Sequence, residues 1–348
     1  MVASRGRVVA LLAACLVLAG SGGAPLATAS QELRVLVVKL DWTTEQPLSD
    51  RQIGSVESDT AAFYKTSSFG RLTLAFDQTR WLAVPEKLLS CSTFAQAMGM
   101  PSRLRSVATS AGYDLSGYDR VVFVFAAAPC LVSGLYEPDG ILVNGTWGDS
   151  ILIHELGHSF GMGHAGSVSC RYTSSSRFCT SNPYGDDFDV MGQNVDSAYT
   201  SEPPGDLGAL QKARAGWIEP RYVTRAGVYQ LAALGETSRL PQALVIRVKG
   251  IEYWIDYREA AGNDASLELD PLGMTKGFEV HSFAGRLLPV AKRPIYPNGP
   301  DYLLPREQHD HNTYATPPGS TFTQAGLFSL TALHRTRSTI TVRFRWLQ

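Results

Sequence analysis

The sequence predicts an α+β protein in two parts: a mixed, twisted sheet with helices over residues 30–220, then an all-β module of sandwich type over 221–348. Three observations carry this. Short Val- and Leu-rich runs alternate with helical stretches in the first part. One helix there, ending near Phe160, packs three histidines and a glutamate into and just beyond its last turns. Past Glu219 to Val223 the pattern shifts to short Val, Ile, Tyr and Phe runs separated by Gly, Pro and Asn, the rhythm of successive strands.

Hydrophobic residues are 44% and charged residues 18% of the chain, which supports a packed core and excludes a disordered polypeptide. Lys plus Arg number 31 against 32 for Asp plus Glu, without a block of like charge, so neither nucleic acid nor an anionic membrane is an expected partner. Residues 1–29 read as a secretory signal peptide. Arg5 and Arg7 precede the apolar run Val8 to Ala19, and Ala27-Thr28-Ala29 offers a cleavage site before Ser30. The run is too short to span a bilayer, so a secreted protein with no stable membrane insertion is expected. Leu12-Ala13-Ala14-Cys15 also resembles a lipoprotein box with Cys15 as the anchor, but the apolar run continues through Leu16-Val17-Leu18.

In chain order, Glu32 to Leu40 has the composition of a buried strand, and Ile53 to Thr66 carries apolar residues at helical spacing. Strands follow at Arg71 to Phe76 and at Tyr118 to Ala128, with a shorter one at Gly140 to Val143 suited to the sheet edge. Gly148 or Asp149 caps the helix that runs to about Phe160, and Gly161 stops it. Gly208 to Ile218 reads as a further helix. Strands are then expected at Tyr222 to Leu231, Ala243 to Val248, Glu252 to Arg258, Gly326 to Ala332 and Ser338 to Trp346.

Beyond the signal stand Cys91, Cys130, Cys170 and Cys179, an even number suited to disulfides in an oxidising compartment. Three pairings are possible. Cys170 and Cys179 bracket the polar loop Arg171 to Phe178, which favours that bridge together with Cys91 to Cys130. No Cys-x-x-Cys knuckle occurs, so a thiolate zinc site is not expected.

The run His154-Glu155-Leu156-Gly157-His158-Ser159-Phe160-Gly161-Met162-Gly163-His164 holds most of the chemical information. Histidines four apart project from one helix face, one turn apart, and reach a single ion. Gly161 allows a sharp turn that returns His164 as a third ligand and leaves a fourth position open, as in a catalytic Zn2+ site. Glu155, beside the first ligand, is placed to act as general base on a zinc-bound water attacking a peptide carbonyl.

The extended motif resembles that of metzincin metallopeptidases, which add a methionine-containing turn beneath the metal. Asp189-Val190-Met191-Gly192 supplies such a turn, and the run Tyr184 to Gly192 is similar to that of the gametolysin-like peptidase branch. Phe63-Tyr64-Lys65 with Ser68-Phe69-Gly70-Arg71-Leu72, Gln211-Lys212-Ala213-Arg214-Ala215-Gly216-Trp217 and Tyr253-Trp254-Ile255-Asp256-Tyr257-Arg258 extend the likeness over most of the chain. The resemblance implies a metalloendopeptidase acting on protein or peptide substrates, with a β-rich ancillary domain. Where some metzincins place a tyrosine two residues after the turn methionine, this chain has Gln193, leaving Tyr184 and Tyr199 as candidates for stabilising the transition state. No pro-segment is expected, since the first strand follows the signal closely.

His309-Asp310-His311 lies among Pro305, Pro317 and Pro318 and reads as a solvated loop. Asp186, Asp187 and Asp189 lack the spacing of a calcium loop and suit a turn-shaping role. Two other functions fit the same residues. One is a zinc hydrolase acting on a non-peptide amide; the other is a secreted binding protein whose zinc domain is a relic, which the retention of Glu155 and all three histidines disfavours.

Overall fold

The computed structural model describes residues 30–42, 48–145, 147–172, 177–192, 205–269, 273–284, 301–304 and 314–347. Residues 1–29 with Cys15, and Gln193, Tyr199 and His309-Asp310-His311, lie outside the described residues. The protein is a mixed α/β molecule with several sheets and few helices.

The first part runs β1 Gln31–Asp41, α1 Asp50–Ser67, β2 Leu72–Gln78, β3 Leu82–Ala83, α2 Phe94–Met98, α3 Met100–Ser110, β4 Arg120–Phe125, β5 Gly134–Glu137, β6 Gly140–Asn144 and α4 Asp149–Ser159. Its main sheet has the order β2-β1-β4-β6-β5, parallel except for the antiparallel β5–β6 pair. β1 is buried on both faces, which accounts for its unbroken apolar run. Val35 and Val37 pack into the core shared with α1 and α4, while Leu36, Val38 and Leu40 face the core shared with α2 and α3. A capping box between Ser49 and Gln52 starts α1 before Ile53.

The place of one short strand in this sheet differs from expectation. Gly140 to Val143, expected at the sheet edge, is interior because β5 covers it. The four residues of β5, Gly-Leu-Tyr-Glu, are all half-buried and carry no alternating apolar signal, so nothing in the sequence announces a strand there.

The chain continues through β7 Ala165–Tyr172, β8 Arg177–Asn182, α5 Ala209–Arg214, β9 Arg221–Tyr222, β10 Gly227–Ala232, β11 Ala243–Val248, β12 Ile251–Tyr257, β13 Phe278–Ala284, β14 Asp301–Leu303, β15 Thr321–Gln324, β16 Phe328–Arg335 and β17 Thr339–Trp346. A second sheet has the order β8-β7-β14-β13-β12-β11-β9, and a third the order β10-β17-β16-β15. The parallel β7–β14 pair carries the second sheet across residue 220, so strands from both sides of that position share one hydrogen-bonded surface.

The alternation in β12 explains how this sheet is used. Tyr253, Ile255 and Tyr257 join Phe278 and Val280 in an apolar core with Phe328, Leu330, Val342 and Phe344 of the third sheet. Trp254 and Phe283 turn the other way and pack with Ala209, Leu210 and Ala213 of α5. Both faces are therefore buried. Cys91 and Cys130 form a disulfide. Cys170 and Cys179 stand directly opposite in the β7–β8 register, and Cys179 is disulfide-bonded. Among the described residues no helix is long and apolar enough to cross a membrane.

Candidate metal centre

Helix α4 begins at the extended Gly148 and ends in a Schellman arrangement: Gly161 N–H donates to His158 O at 2.9 Å and Met162 N–H to Gly157 O at 3.2 Å. Gly161 takes φ +82°, the left-handed conformation its position demands. Ile151, Leu152, Ile153 and Leu156 anchor the helix in the core, and the buried Tyr64 hydroxyl of α1 donates to the Ile153 carbonyl. Tyr64 also meets the rings of Phe160 and Trp217 edge-on. Arg71 reaches the Trp217 carbonyl. Three sequence runs far apart in the chain thus converge behind one helix.

His154, His158 and His164 come together, each offering a ligand atom within 4.8 Å of the others. Backbone carbonyls orient two of them: His154 Nδ1 bonds Val190 O at 2.9 Å and His158 Nδ1 bonds Met162 O at 3.0 Å. A carbonyl only accepts, so each Nδ1 carries the proton and each neutral ring presents a bare Nε2. Those two Nε2 atoms lie 3.1 Å apart. Two facing lone pairs at that distance repel unless a cation lies between them. In a tetrahedral site with Zn–N bonds near 2.0–2.1 Å, ligand nitrogens are separated by about 3.3 Å. The donor set and its spacing therefore fit a metal ion.

Burial favours the neutral imidazoles. It drives His154 well below the ordinary histidine range, reinforced by His158, lowers His158, and brings His164 down to about 4 with a further contribution from His158. Burial also pushes Glu155 up to about 8, although the Tyr136 backbone N–H opposes the shift. The Glu155 carboxylate rests on Gly134, where a β-carbon would collide with Oε1.

Met191 lies beneath α4 at Gly157. Its turn is tied down by Asp189, which accepts from Met191 N at 2.8 Å through Oδ1 and from Gly208 N at 2.7 Å through Oδ2. Asp186 Oδ1 accepts from Phe188 N at 3.0 Å. On the far side, Gln211 Oε1 accepts from Gly163 N at 3.1 Å, holding the backbone next to His164. Tyr184 comes to the site as well, its ring centroid 4.0 Å from that of His164. His281 is buried in a separate cluster and His334 is exposed.

A cleft of roughly 770 Å³ opens over the three histidines and Glu155. Phe94 and Met98 of α2, the edge strand β5 and Tyr184 form its walls. Gly134, Tyr136, Gln211 and the carbonyls of Val190 and Met162 had no assigned role in the sequence. Backbone acceptors and close glycine contacts leave no mark in residue type; Met162, Val190 and Gln211 lie in runs the sequence singled out, whereas Gly134 and Tyr136 lie in none.

The chain matches no protein-family model and no curated protein.

Proposed function

We propose that this chain is a secreted, zinc-dependent metalloendopeptidase of the metzincin type, related in its motifs to the gametolysin-like peptidases. The observation that carries the reading is the pair of bare Nε2 atoms, 3.1 Å apart, with His164 and the carboxylate of Glu155 beside them. His154, His158 and His164 hold the metal. Bound zinc supplies an acidified water and a Lewis acid for the scissile carbonyl. Glu155 takes the proton from the attacking water and delivers it to the leaving amine. A carboxyl lifted by burial is suited to both halves of that transfer.

Substrate class is read from the cleft wall. β5 pairs with β6 on one side only, so its other edge offers backbone donors and acceptors to an extended peptide lying along the cleft. Met191 takes the part of the turn methionine, supporting the histidine pair through Gly157. The second and third sheets, packed over one apolar core, are read as the ancillary β-sandwich. The Cys91–Cys130 disulfide supports export to an oxidising compartment.

The test is Glu155→Gln. It preserves volume and all three histidines, so zinc content and melting temperature stay near wild type while cleavage of a mixed peptide library falls by at least about 10². His158→Ala loses zinc together with activity. Wild-type cleavage by Glu155→Gln overturns the mechanism. A zinc-loaded wild type that cleaves no peptide redirects the assignment to a non-peptide amide.

A further inference from the structure

Behind the turn that carries Met191, on the face of the second sheet that meets α5, the fold buries a second set of metal-ligand residues. Asp256 of β12 and Glu279 of β13 are direct cross-strand partners, and both are fully buried. Like charges placed opposite each other on a sheet repel, and burial removes the water that would screen them. His281 follows two residues after Glu279 on the same face, and the ligand atoms of Asp256, Glu279 and His281 all lie within 4.8 Å of one another.

Two further observations point to a cation-binding site. Asp256 Oδ1 and both carboxylate oxygens of Glu279 are buried without a hydrogen-bond partner. Glu279 Oε2 stands 3.6 Å from His281 Nε2 and 3.5 Å from Arg258 Nε. The histidine separation is longer than a hydrogen bond, yet close to the roughly 3.4 Å expected between nitrogen and oxygen ligands of one tetrahedral ion. The surrounding charge does not balance either. Asp186, Asp189, Asp206, Asp256, Asp264 and Glu279 are all buried, whereas Lys212 and Arg258 are the lysine and arginine ion-paired with them among the described residues, and His281 stands beside Asp186 and Glu279. An excess of buried carboxylates is costly unless a positive ion or protons offset it.

We propose that Asp256, Glu279 and His281 bind a second divalent transition-metal ion, held for structure rather than catalysis. One imidazole with two carboxylates suits Zn2+ or Mn2+ better than Ca2+, which prefers oxygen alone. The ion fastens the β12–β13 pair to the Met191 turn, because His281 Nδ1 faces Asp186 Oδ2 of that turn at 3.9 Å. This site is independent of the histidine triad and stands or falls separately from it.

The experiment is metal analysis of the full chain after loading with Zn2+ and removal of excess, read with circular dichroism and thermal melting. Wild type carries two equivalents, His158→Ala retains one, and adding Glu279→Gln to His158→Ala removes it. Asp256→Asn in the same background repeats the loss if the glutamine variant is poorly folded. Zn2+ raises the melting temperature of His158→Ala and fails to raise that of the double variants. A wild type with one equivalent that survives His158→Ala but not Glu279→Gln supports this site and refutes the triad. One equivalent lost in His158→Ala and unaffected by Glu279→Gln or Asp256→Asn overturns the proposal, leaving the cluster a proton-sharing network.

Discussion

Met191 Sδ lies where helix α4 has no side chain: a β-carbon on Gly157 would stand 2.5 Å from the sulfur and 3.3 Å from Met162 Sδ. The residue between the two halves of the histidine pair is therefore a glycine for a packing reason, since in a helix alanine is ordinarily the better residue. Gly157→Ala is expected to destabilise the protein by about 1–3 kcal/mol through overpacking and to weaken zinc binding by displacing His158. Thermal melts and zinc titration read both effects, and Met191→Ala added to Gly157→Ala restores part of the loss. A Gly157→Ala protein as stable as wild type contradicts the close contact.

Gly134 bears on Glu155 in the same way but with a different outcome. The atoms a β-carbon would meet there are Oε1, Cγ and Cδ of Glu155, the movable end of a side chain. Gly134→Ala is expected to leave fold and zinc content intact while shifting the carboxylate, with kcat falling by about 10². Unchanged kcat with a fully zinc-loaded variant argues against the carboxylate position as the determinant of rate.

Lys212 and Asp206 form a fully buried ion pair at 2.6 Å, with Ser67 also donating to the carboxylate. Burial alone would raise Asp206, but Lys212, Ser67 and Arg258 outweigh it and hold the carboxyl below its ordinary range. A depressed carboxyl contributes stability above its unfolded value, near about 3.9, and that contribution is lost as pH falls through the folded value. Lys212→Met strands the charge and is expected to cost about 3–5 kcal/mol near neutrality. The difference between the two proteins then narrows as pH falls, because wild type loses this contribution while the variant's buried carboxyl, no longer held low by Lys212, takes up a proton. Urea melts across pH 3–7 check this, and coincident curves for the two proteins count against it.

Non-reducing peptide mapping of the exported protein is expected to recover Cys91 joined to Cys130 and Cys179 joined to Cys170, its register partner across β7 and β8. No free thiol should remain beyond residue 29. Replacing Cys91 and Cys130 by serine opens a loop of sequence separation 39 and is expected to cost about 2–4 kcal/mol. Recovery of Cys179 with any other cysteine disproves the hairpin bridge.

Local chemistry was legible in the sequence wherever one short segment carries it. His154 and His158 share a helix face by spacing alone, with Glu155 next to the first of them, and Gly161 could be placed at positive φ because a chain turning that sharply after a helix needs it. The buried strands β1, β4, β11, β12 and β17 were likewise visible, since apolar runs of that length have few other uses. What only the tertiary structure decided depends on residues meeting across the chain. β5 is a strand because β6 offers it an edge, and its own half-polar residues do not say so. The second sheet crosses residue 220 through β7 and β14, a pairing with no compositional signature. Asp256 and Glu279 become a site, rather than two ordinary acids on two strands, only because antiparallel register sets them face to face and α5 with the Met191 turn seals them from water. Spacing along one element is written in the sequence, whereas register between elements and the burial it imposes come from packing the whole chain.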